Sequence, residues 1–345
     1  MKIAVDCRYF GRSGIGRVNE GILDELDFSA HEYTLIGERE KLKKYEGKAK
    51  IVENSDDPYS IRGILKINRE VNECDLFYAP NFLIPYSVRV PVVATMHDLI
   101  FLDKKETTRG AIDRLIKKKL LKRCMKRAKK IACVSEFTRE RCEAYYKKLA
   151  KKCFVAHNGI GKNVLKADVS SVQKQKGLLV FVGNVKPHKG LKTLIAAFQK
   201  LPKGEYTLKI IGEKDSFLTG ENSADLTCEG VVFTGRLTDD QGLFDEIARA
   251  EFLIQPSKYE GFGLPPLEAL CLGTRPIVSD IPVFREIYGE FDVTYFKEGD
   301  ADDLAAKILS APVRTSTTAE DVSQKYDYKR AAELIENSFA EAIKR

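Results

Sequence analysis

Short apolar segments with the length of buried β-strands recur along this 345-residue chain and alternate with segments of helical length. Strands that are apolar throughout are typical of parallel sheets covered by helices on both faces. The pattern therefore predicts an α/β chain with doubly wound parallel sheets. The predicted strands lie at 3–6, 33–36, 50–52, 76–78, 92–96, 131–134, 154–156, 178–182, 208–211, 231–234, 252–254, 276–278 and 293–295.

A polar, lysine-rich stretch at 161–177 interrupts this alternation. The chain also exceeds the usual length of a single domain, so two hydrophobic cores are expected. We predict two Rossmann-like domains, at 1–165 and 166–327. Because ligands bind beyond the carboxyl ends of the strands in open parallel sheets, we expect the binding site in a cleft between the two domains.

Basic residues are concentrated in the first half of the chain. Residues 1–165 contain 34 Lys and Arg against 22 Asp and Glu, a net charge of +12, whereas the remainder has a net charge of −5. The most basic part predicts an amphipathic helix at about 111–130 that either contacts an anionic membrane surface or is a solvated helix packed on the sheet. Nucleic acid is not an expected partner, because no aromatic-rich strand or recognition helix accompanies the charge.

Other features of the sequence exclude several classes of protein. No apolar run approaches the roughly 18 residues that span a bilayer, and the first residues read as a strand, so we expect a cytoplasmic protein. Eight cysteines are scattered without a Cys-x-x-Cys pair, which suggests reduced packing residues and neither a zinc site nor a disulfide framework. Adjacent aspartates are interpreted as helix caps or surface turns, and no metal or other cofactor is expected. These pairs are Asp56-Asp57, Asp239-Asp240 and Asp302-Asp303.

The segment at 257–270, Ser-Lys-Tyr-Glu-Gly-Phe-Gly-Leu-Pro-Pro-Leu-Glu-Ala-Leu, points most directly to a ligand. It follows a predicted strand, and its prolines suit the first turn of a helix. Backbone N–H groups at that helix start favour a phosphate, and Glu260 and Glu268 could accept hydrogen bonds from hydroxyls at the two ends of the ligand. The backbone groups belong to Gly261, Phe262, Gly263 and Leu264.

Glu260 and Glu268 match the E-x7-E motif of glycosyltransferase family 4, and the sequence resembles this family of retaining GT-B enzymes over most of its length. The resemblance implies a nucleotide diphosphate sugar as donor. Glu260 would bind the donor sugar and stabilise charge, and Glu268 would bind the ribose. The segment at 328–345 resembles the family's terminal helix, which packs back on the first domain.

Two motifs of the first half fit this interpretation. A glycine loop at 11–17 precedes a predicted helix at Val18, and the family's glycine facing the donor diphosphate corresponds to Gly14 and Gly16; an ordinary tight turn is the alternative. His97 follows a predicted strand, where the family often has a histidine beside the donor sugar. The alternative for His97 is a core histidine whose hydrogen bond goes to the backbone.

Cations of the second half supply the expected diphosphate contacts. Lys189 matches the lysine of the family's Lys-Gly pair. The family's arginine position is occupied by Asn184, and Lys186 could replace that arginine only without its bidentate geometry. Arg236 lies where the family seats the nucleotide base, and a structural ion pair is its alternative role.

The resemblance implies a metal-independent, retaining glycosyltransferase with Glu260, His97 and Lys189 as catalytic residues. Resemblance to bacterial mannosyltransferases of polysaccharide assembly makes mannose the first expectation for the sugar, and a glycan or lipid-linked molecule the acceptor. Two alternatives remain: a GT-B nucleotide-sugar epimerase, and a non-catalytic subunit that binds sugar nucleotides.

Overall fold

The computed structural model describes residues 1–11, 13–213, 227–237 and 239–344, with the side chain of Ser13 left out. It divides into two compact units. The N-terminal unit comprises Met1–Leu99, Leu115–Gly159 and Asp327–Arg345, and the C-terminal unit comprises Ile100–Arg114 and Ile160–Tyr326. The boundary after Gly159 lies six residues before the one expected at 165/166.

The N-terminal unit contains a seven-stranded sheet in the order β3-β2-β1-β4-β5-β6-β7. Every neighbouring pair is parallel. The chain adds strands on one side of β1 and then returns to its other side, so the strand order reverses between β1 and β4. The strands are β1 (Lys2–Asp6), β2 (Glu32–Gly37), β3 (Lys50–Glu53), β4 (Leu76–Ala79), β5 (Val92–Met96), β6 (Lys130–Cys133) and β7 (Cys153–Val155).

The C-terminal unit repeats this topology with a six-stranded parallel sheet in the order β10-β9-β8-β11-β12-β13. Its strand order reverses between β8 and β11. Every predicted strand has a counterpart among the described strands, so the prediction of doubly wound parallel sheets is confirmed. The strands are β8 (Gln175–Val182), β9 (Thr207–Ile211), β10 (Val231–Gly235), β11 (Ala250–Gln255), β12 (Arg275–Ser279) and β13 (Thr294–Phe296).

Parallel pairing requires crossover connections, and helices lie in many of those of both sheets, although the connection at 80–91 between β4 and β5 contains none. The α-helices of the described residues are α1 (Ser13–Leu23), α2 (Arg39–Leu42), α3 (Ile61–Leu65), α4 (Ile100–Asp103), α5 (Ala111–Arg127), α6 (Glu136–Tyr146), α7 (Lys162–Leu165), α8 (Leu191–Phe198), α9 (Asp240–Arg249), α10 (Pro265–Cys271), α11 (Pro282–Tyr288), α12 (Ala301–Ser310), α13 (Ala319–Lys325) and α14 (Tyr328–Ile343). Among them, none is long and apolar enough to cross a membrane.

The terminal helix α14 belongs to the N-terminal unit, where it contacts α1 and strands β4, β5 and β6. Phe339 lies against Tyr78 with ring centroids 5.8 Å apart. A side chain at Gly21 would lie 2.4 Å from the ring of Tyr328, so glycine is needed where α1 and α14 meet. The unit thus completes its core with residues from both ends of the chain.

The basic helix α5 differs from its prediction in two ways. It ends at Arg127, because Lys130 already begins strand β6. Its apolar residues also do not form one continuous buried face. Leu120, Leu121, Cys124 and Met125 are buried, whereas Ile112, Leu115 and Ile116 are exposed.

Candidate active site

Two predicted site residues, Lys189 and Glu260, form an ion pair in the C-terminal unit. Lys189 Nζ lies 2.6 Å from Glu260 Oε1, and the side chains are 22% and 11% exposed. The residues follow β8 and β11, which are neighbours where the strand order reverses. Open α/β sheets bind ligands outside the carboxyl ends of the strands at this point. The pair therefore lies where such a sheet holds its ligand.

Local backbone contacts bring the two segments together. Pro187–Lys189 forms a 3-10 turn that ends at Gly190, whose φ is +71°. A side chain at Gly190 would lie 1.8 Å from the carbonyl oxygen of Pro256, so the close approach requires glycine. The N–H of Lys258 donates to the carbonyl of His188 at 2.8 Å. These contacts anchor the turn that presents Lys189 to the segment that presents Glu260.

Two further side chains orient the Glu260 carboxylate. Ser257 Oγ donates to Glu260 Oε1 at 2.7 Å, and Gln255 Nε2 lies 2.9 Å from Ser257 Oγ and 3.4 Å from Glu260 Oε1. Both side chains are buried. Sequence reasoning did not select them, although polar residues at and just beyond the end of an apolar strand were a signal that could have done so.

The electrostatics of the pair favour an ionised carboxylate. Burial alone would raise the pKa of Glu260, but the charge of Lys189 and the hydrogen bonds from Lys189 and Ser257 outweigh burial and lower that pKa. Burial, with a smaller contribution from Lys189, lowers the pKa of His188 to about 3. At neutral pH His188 is therefore neutral. Its buried Nδ1 atom and the Oε1 atom of Gln255 have no hydrogen-bond partner among the described residues.

The second glutamate of the motif lies in helix α10. Glu268 is buried, and the charges of both Glu260 and Glu268 act on Tyr288. The Tyr288 hydroxyl donates to the carbonyl of Gly263, which has a φ of +92°. Burial, assisted by these glutamates, raises the pKa of Tyr288. The two acids therefore lie around one buried tyrosine, which sequence reasoning missed.

The glycine-rich turn before α10 combines backbone and packing roles. The helix begins at Pro265 with Leu264 as its N-cap residue, as predicted, and the N-cap position has no side-chain cap. Phe262 is buried edge-on against Tyr326, with ring centroids 5.4 Å apart. Only the backbone of Phe262 is thus available for the predicted phosphate contact. Gly261 belongs to the same turn and is half-buried.

The remaining predicted residues of this unit lie after β8 and β10. Asn184 is half-buried in the turn after β8, and Lys186 is exposed and close enough to His188 to influence its pKa. Arg236 Nη1 lies 3.8 Å from Glu213 Oε1, and both side chains are more than half exposed. An exposed pair of this length contributes about 0–1 kcal/mol to stability.

The N-terminal unit contains the predicted glycines and His97. The helix predicted at Val18 begins earlier, at Ser13, so that Gly14 and Gly16 lie in its first turn. A side chain at Gly16 would lie 2.1 Å from the carbonyl oxygen of Tyr9, whereas one at Gly14 would meet nothing within 4 Å. Packing therefore explains why position 16 is a glycine, but it does not explain the glycine at position 14.

His97 makes the hydrogen bond to the backbone that is expected of a core histidine, which was its alternative interpretation. Its Nε2 atom lies 2.8 Å from the carbonyl oxygen of Pro80. Burial lowers the pKa of His97 against the opposing effects of Pro80 and Asp98, so the ring is neutral and Nε2–H is the donor. This tautomer leaves Nδ1 as an acceptor, which keeps a contact with a sugar hydroxyl possible.

A buried ion pair at the end of β1 in the same unit was not selected from the sequence. Arg8 Nε and Nη2 donate to the two carboxylate oxygens of Asp6 at 2.8 and 2.7 Å, and the side chains are 1% and 0% exposed. Arg8 also contacts the carbonyl of Gly63, and Asn19 donates to the carbonyl of Asp6. The pair thus holds the segment between β1 and α1 in place.

Two of the three acidic pairs contribute a helix cap and a turn, as predicted, whereas Asp302-Asp303 lies in the first turn of α12. Asp239 caps helix α9, and Asp57 accepts from the N–H of Tyr59 in a turn. The sequence also contains one Asp-x-Asp triplet, Asp300-Ala301-Asp302. This triplet is a pattern of metal-dependent transferases. Asp300 caps helix α12 by accepting from two N–H groups, and Asp302 pairs with Lys200 at 2.8 Å. Both carboxylates of the triplet are therefore engaged in local structure.

Two protein-family models match the chain. The model described as Glycosyltransferase Family 4 matches residues 12–162, and the model described as Glycosyl transferases group 1 matches residues 165–315. The two matches adjoin near the boundary between the units and together span most of the chain. The first model falls on the sheet of the N-terminal unit, and the second falls on the sheet that holds Lys189 and Glu260.

Curated relatives and a solved structure agree with these matches. The chain is 27% identical to the O-antigen chain mannosyltransferase RfbU of Salmonella typhimurium over 65% of its length, and 25% identical to O-antigen chain mannosyltransferase B of Escherichia coli over 68%. The matches span 63% and 65% of those relatives, less than two thirds of their length. A crystal structure of Anabaena Alr3699/HepE in complex with UDP and glucose covers 99% of both chains, with a TM-score of 0.75 and 17% identity. The chain belongs to glycosyltransferase family 4 and has the GT-B fold.

Proposed function

We propose that the protein transfers a sugar from a nucleotide diphosphate sugar to a glycan or lipid-linked acceptor. The observation that carries the proposal is the Lys189–Glu260 pair at the reversal of strand order in the C-terminal unit. It places one cation and one oriented carboxylate where a sheet of this topology binds its ligand. Membership of a glycosyltransferase family and the UDP and glucose bound by Alr3699/HepE support the same substrate class.

Lys189 can bind the donor diphosphate and keep its hydrogen bond to Glu260. A lysine ammonium has three N–H donors, and the hydrogen bond to Glu260 uses one of them. The other donors, with backbone N–H groups of the turn at 261–264, would stabilise the negative charge that develops on the leaving diphosphate. We infer that this charge stabilisation makes the reaction independent of a metal ion.

Glu260 would act on the other product of bond cleavage. As the bond from the sugar to the diphosphate breaks, positive charge develops on the sugar ring, and an ionised carboxylate nearby stabilises it. Ser257 and Gln255 hold that carboxylate in one orientation, so little reorganisation is needed during the reaction. Glu268 is proposed to bind the ribose, and Arg236 the base. In the N-terminal unit, Gly14 is proposed to face the diphosphate and His97 the sugar.

Mannose is the proposed sugar, and the proposed role is in cell-surface polysaccharide synthesis. Two relatives named as O-antigen chain mannosyltransferases support this choice. We also propose that the anomeric configuration is retained, with the acceptor attacking from the face that the diphosphate leaves. Donors of glucose, N-acetylglucosamine and rhamnose are the competing possibilities.

Replacement of Glu260 tests the proposal. The full-length chain is incubated with a panel of nucleotide diphosphate sugars, with and without a lipid extract of the source cells as acceptor, and products are identified by mass spectrometry. Glu260→Ala should lower the turnover number by about 100-fold or more, since oriented charge stabilisation has this magnitude. Nucleotide affinity should change by no more than a few-fold, because Lys189 remains.

Glu246→Ala is the matched control. Glu246 forms a comparable pair with Lys209, also at 2.6 Å and half-buried, on α9 and β9 of the same unit. The Glu246→Ala variant should retain wild-type turnover. Acceptor-independent change of the sugar would identify an epimerase, and donor binding without turnover would identify a non-catalytic subunit. Full turnover by Glu260→Ala would contradict the role of Glu260.

We also propose that helix α5 holds the protein at the cytoplasmic face of an anionic membrane. Its arginines bind backbone carbonyls of their own unit: Arg123 those of Ile84 and Pro85, and Arg127 those of Arg89 and Val90. Its lysines differ, since Lys118, Lys119, Lys122 and Lys126 are exposed. The exposed Leu115 and Ile116 lie on the preceding turn of the helix. Exposed lysines beside exposed apolar side chains are typical of an interfacial helix.

Cosedimentation with lipid vesicles tests this proposal. The wild-type chain should bind phosphatidylglycerol vesicles more tightly than phosphatidylcholine vesicles, and added salt should weaken binding. The double variant Leu115→Ser/Ile116→Ser should bind several-fold more weakly. Leu309→Ser removes a similarly exposed leucine from α12 and should bind like the wild type. Equal binding by both variants would contradict the proposal.

A further inference from the structure

Three cysteines that are distant in sequence meet in the N-terminal unit. The Sγ atoms of Cys133, Cys142 and Cys153 all lie within 4.8 Å of one another. This group, here called the cysteine cluster, contains no histidine or carboxylate from the described residues. Sequence spacing did not predict it, because the cysteines lie on three different elements and form no Cys-x-x-Cys pair.

The elements of the cluster are parts of the rigid scaffold. Cys133 ends β6 and Cys153 begins β7, and in the parallel register Cys153 lies opposite Ile131. Cys133 is two residues beyond Ile131, so Cys133 and Cys153 project from the same face of the sheet. Helix α6 contacts both strands and contributes Cys142 from its middle. Each sulfur is thus positioned by backbone that the fold already holds in place.

We propose that the cysteine cluster binds one thiophilic metal ion, of the class represented by Zn²⁺ and Cd²⁺, through three thiolates. Three sulfurs at about 2.3 Å from a zinc ion lie about 3.8 Å from one another, so each pair of sulfurs needs to close by no more than about 1 Å. Binding of a divalent ion by three thiols forms three metal–sulfur bonds and releases three protons to solvent. All-sulfur ligation selects soft ions over Mg²⁺ and Ca²⁺.

Access and charge agree with a metal site. Cys133 and Cys142 are buried, but Cys153 is half-buried on β7, the edge strand of the sheet, which gives an ion a path from solvent. The positive charge of Lys152 acts on Cys153, as does, more weakly, that of Arg139, which is paired with Glu136 and Glu143. Lys152 would offset part of the net negative charge of three thiolates around a divalent ion. The cluster uses none of the residues proposed for sugar transfer, so the two proposals stand independently.

Titration of the reduced, full-length chain with Cd²⁺ under anaerobic conditions tests the proposal. The thiolate-to-metal charge-transfer absorbance should saturate at one ion per chain, and bound Cd²⁺ should raise the melting temperature. Cys142→Ala and Cys153→Ser should each weaken Cd²⁺ binding by at least about tenfold. Cys153 is half-buried, so its variant should still fold, and circular dichroism of both variants without metal will verify their folding.

Cys74→Ala is the matched control, because Cys74 is a buried cysteine of the same unit that lies outside the cluster. It should bind Cd²⁺ like the wild type. The proposal is overturned if the wild type binds no more tightly than folded Cys153→Ser, or if Cys74→Ala loses binding to the same extent. It is also overturned if the reduced cluster binds no Cd²⁺ and oxidation only links two of its cysteines in a disulfide.

Discussion

Each unit has an ion pair beside the reversal of its strand order, and the two pairs differ in how much of their hydrogen-bonding capacity the protein uses. Asp6 ends β1 and Arg8 follows it; both side chains are fully buried and make two parallel hydrogen bonds, with Arg8 also contacting Gly63. Lys189 and Glu260 follow β8 and β11, make one short hydrogen bond and remain partly exposed. We call the buried, doubly hydrogen-bonded Asp6–Arg8 pair the closed pair, and the partly exposed Lys189–Glu260 pair the open pair. The same topology thus supports a pair of each kind.

The difference indicates which pair is structural and which can bind a ligand. A bidentate, buried pair uses both carboxylate oxygens and offers a ligand little charge. Lys189 makes a single hydrogen bond to Glu260, which leaves two of its N–H donors. Its neighbours His188 and Gln255 each have a buried polar atom without a hydrogen-bond partner in the part of the chain that the structure describes. Buried polar atoms without partners are uncommon in folded proteins, and bound ligands are one explanation for them. We therefore expect breakage of the first pair to lower stability, and breakage of the second to lower ligand binding.

The largest effect is expected from the closed pair. Arg8→Ala should lower the free energy of unfolding by about 3–5 kcal/mol, because it leaves the Asp6 carboxylate buried without its partner. Urea unfolding followed by circular dichroism measures this loss. Arg285→Ala breaks an equally bidentate but exposed pair with Asp280, and its cost should stay below about 2 kcal/mol, including the contact of Arg285 with the Tyr295 ring. Equal losses would show that burial does not distinguish the pairs.

Breaking the open pair should lower the affinity for nucleotide more than the stability of the protein. Lys189→Ala should weaken binding of UDP or GDP by about 10- to 100-fold, as expected for loss of charge-assisted hydrogen bonds worth about 1.5–3 kcal/mol. Isothermal titration calorimetry measures the affinity. Lys209→Ala removes the lysine of the matched Lys209–Glu246 pair and should leave the affinity unchanged. A Lys189→Ala variant that binds as tightly as the wild type would remove the distinction between the open and closed pairs.

The smallest effect concerns pH. Because the pKa of His188 is lowered to about 3, the unfolded chain binds a proton at the ordinary histidine pKa of about 6.5 while the folded chain does not. The stability of the C-terminal unit should therefore fall as pH is lowered from about 7 to about 5. His188→Asn should reduce this slope in melting temperature, and His31→Asn in the N-terminal unit is the control. An unchanged slope in His188→Asn would contradict the assignment.

Local sequence patterns predicted much of the fold. Apolar runs of strand length located the strands of both sheets, because continuous burial selects apolar side chains at every position of a parallel strand. Helix α10 and its preceding glycine turn were predicted from prolines and glycines whose backbone preferences are local. Glu260 was selected from its place after a predicted strand, and Lys189 was selected from the resemblance to glycosyltransferase family 4.

The sequence did not predict which side chains meet. Gly14 and Gly16 of the loop at 11–17 fall inside α1, and the apolar residues of α5 divide into a buried and an exposed group. Neither outcome follows from spacing along the chain, since each depends on what another element places against that surface. His97 illustrates the same point, because its backbone partner, the carbonyl of Pro80, follows a different strand.

The sequence by itself determined the secondary structure, the parallel α/β class and the charged residues available for chemistry, because each follows from the preferences of neighbouring residues. Only the tertiary structure decided that Lys189 contacts Glu260 across 71 positions, that Arg8 closes on Asp6 in a buried site, and that three scattered cysteines converge. These contacts depend on the order in which strands pair, above all on β11 lying beside β8. Strand order is a property of the packed sheets and is not specified by any single segment of the chain.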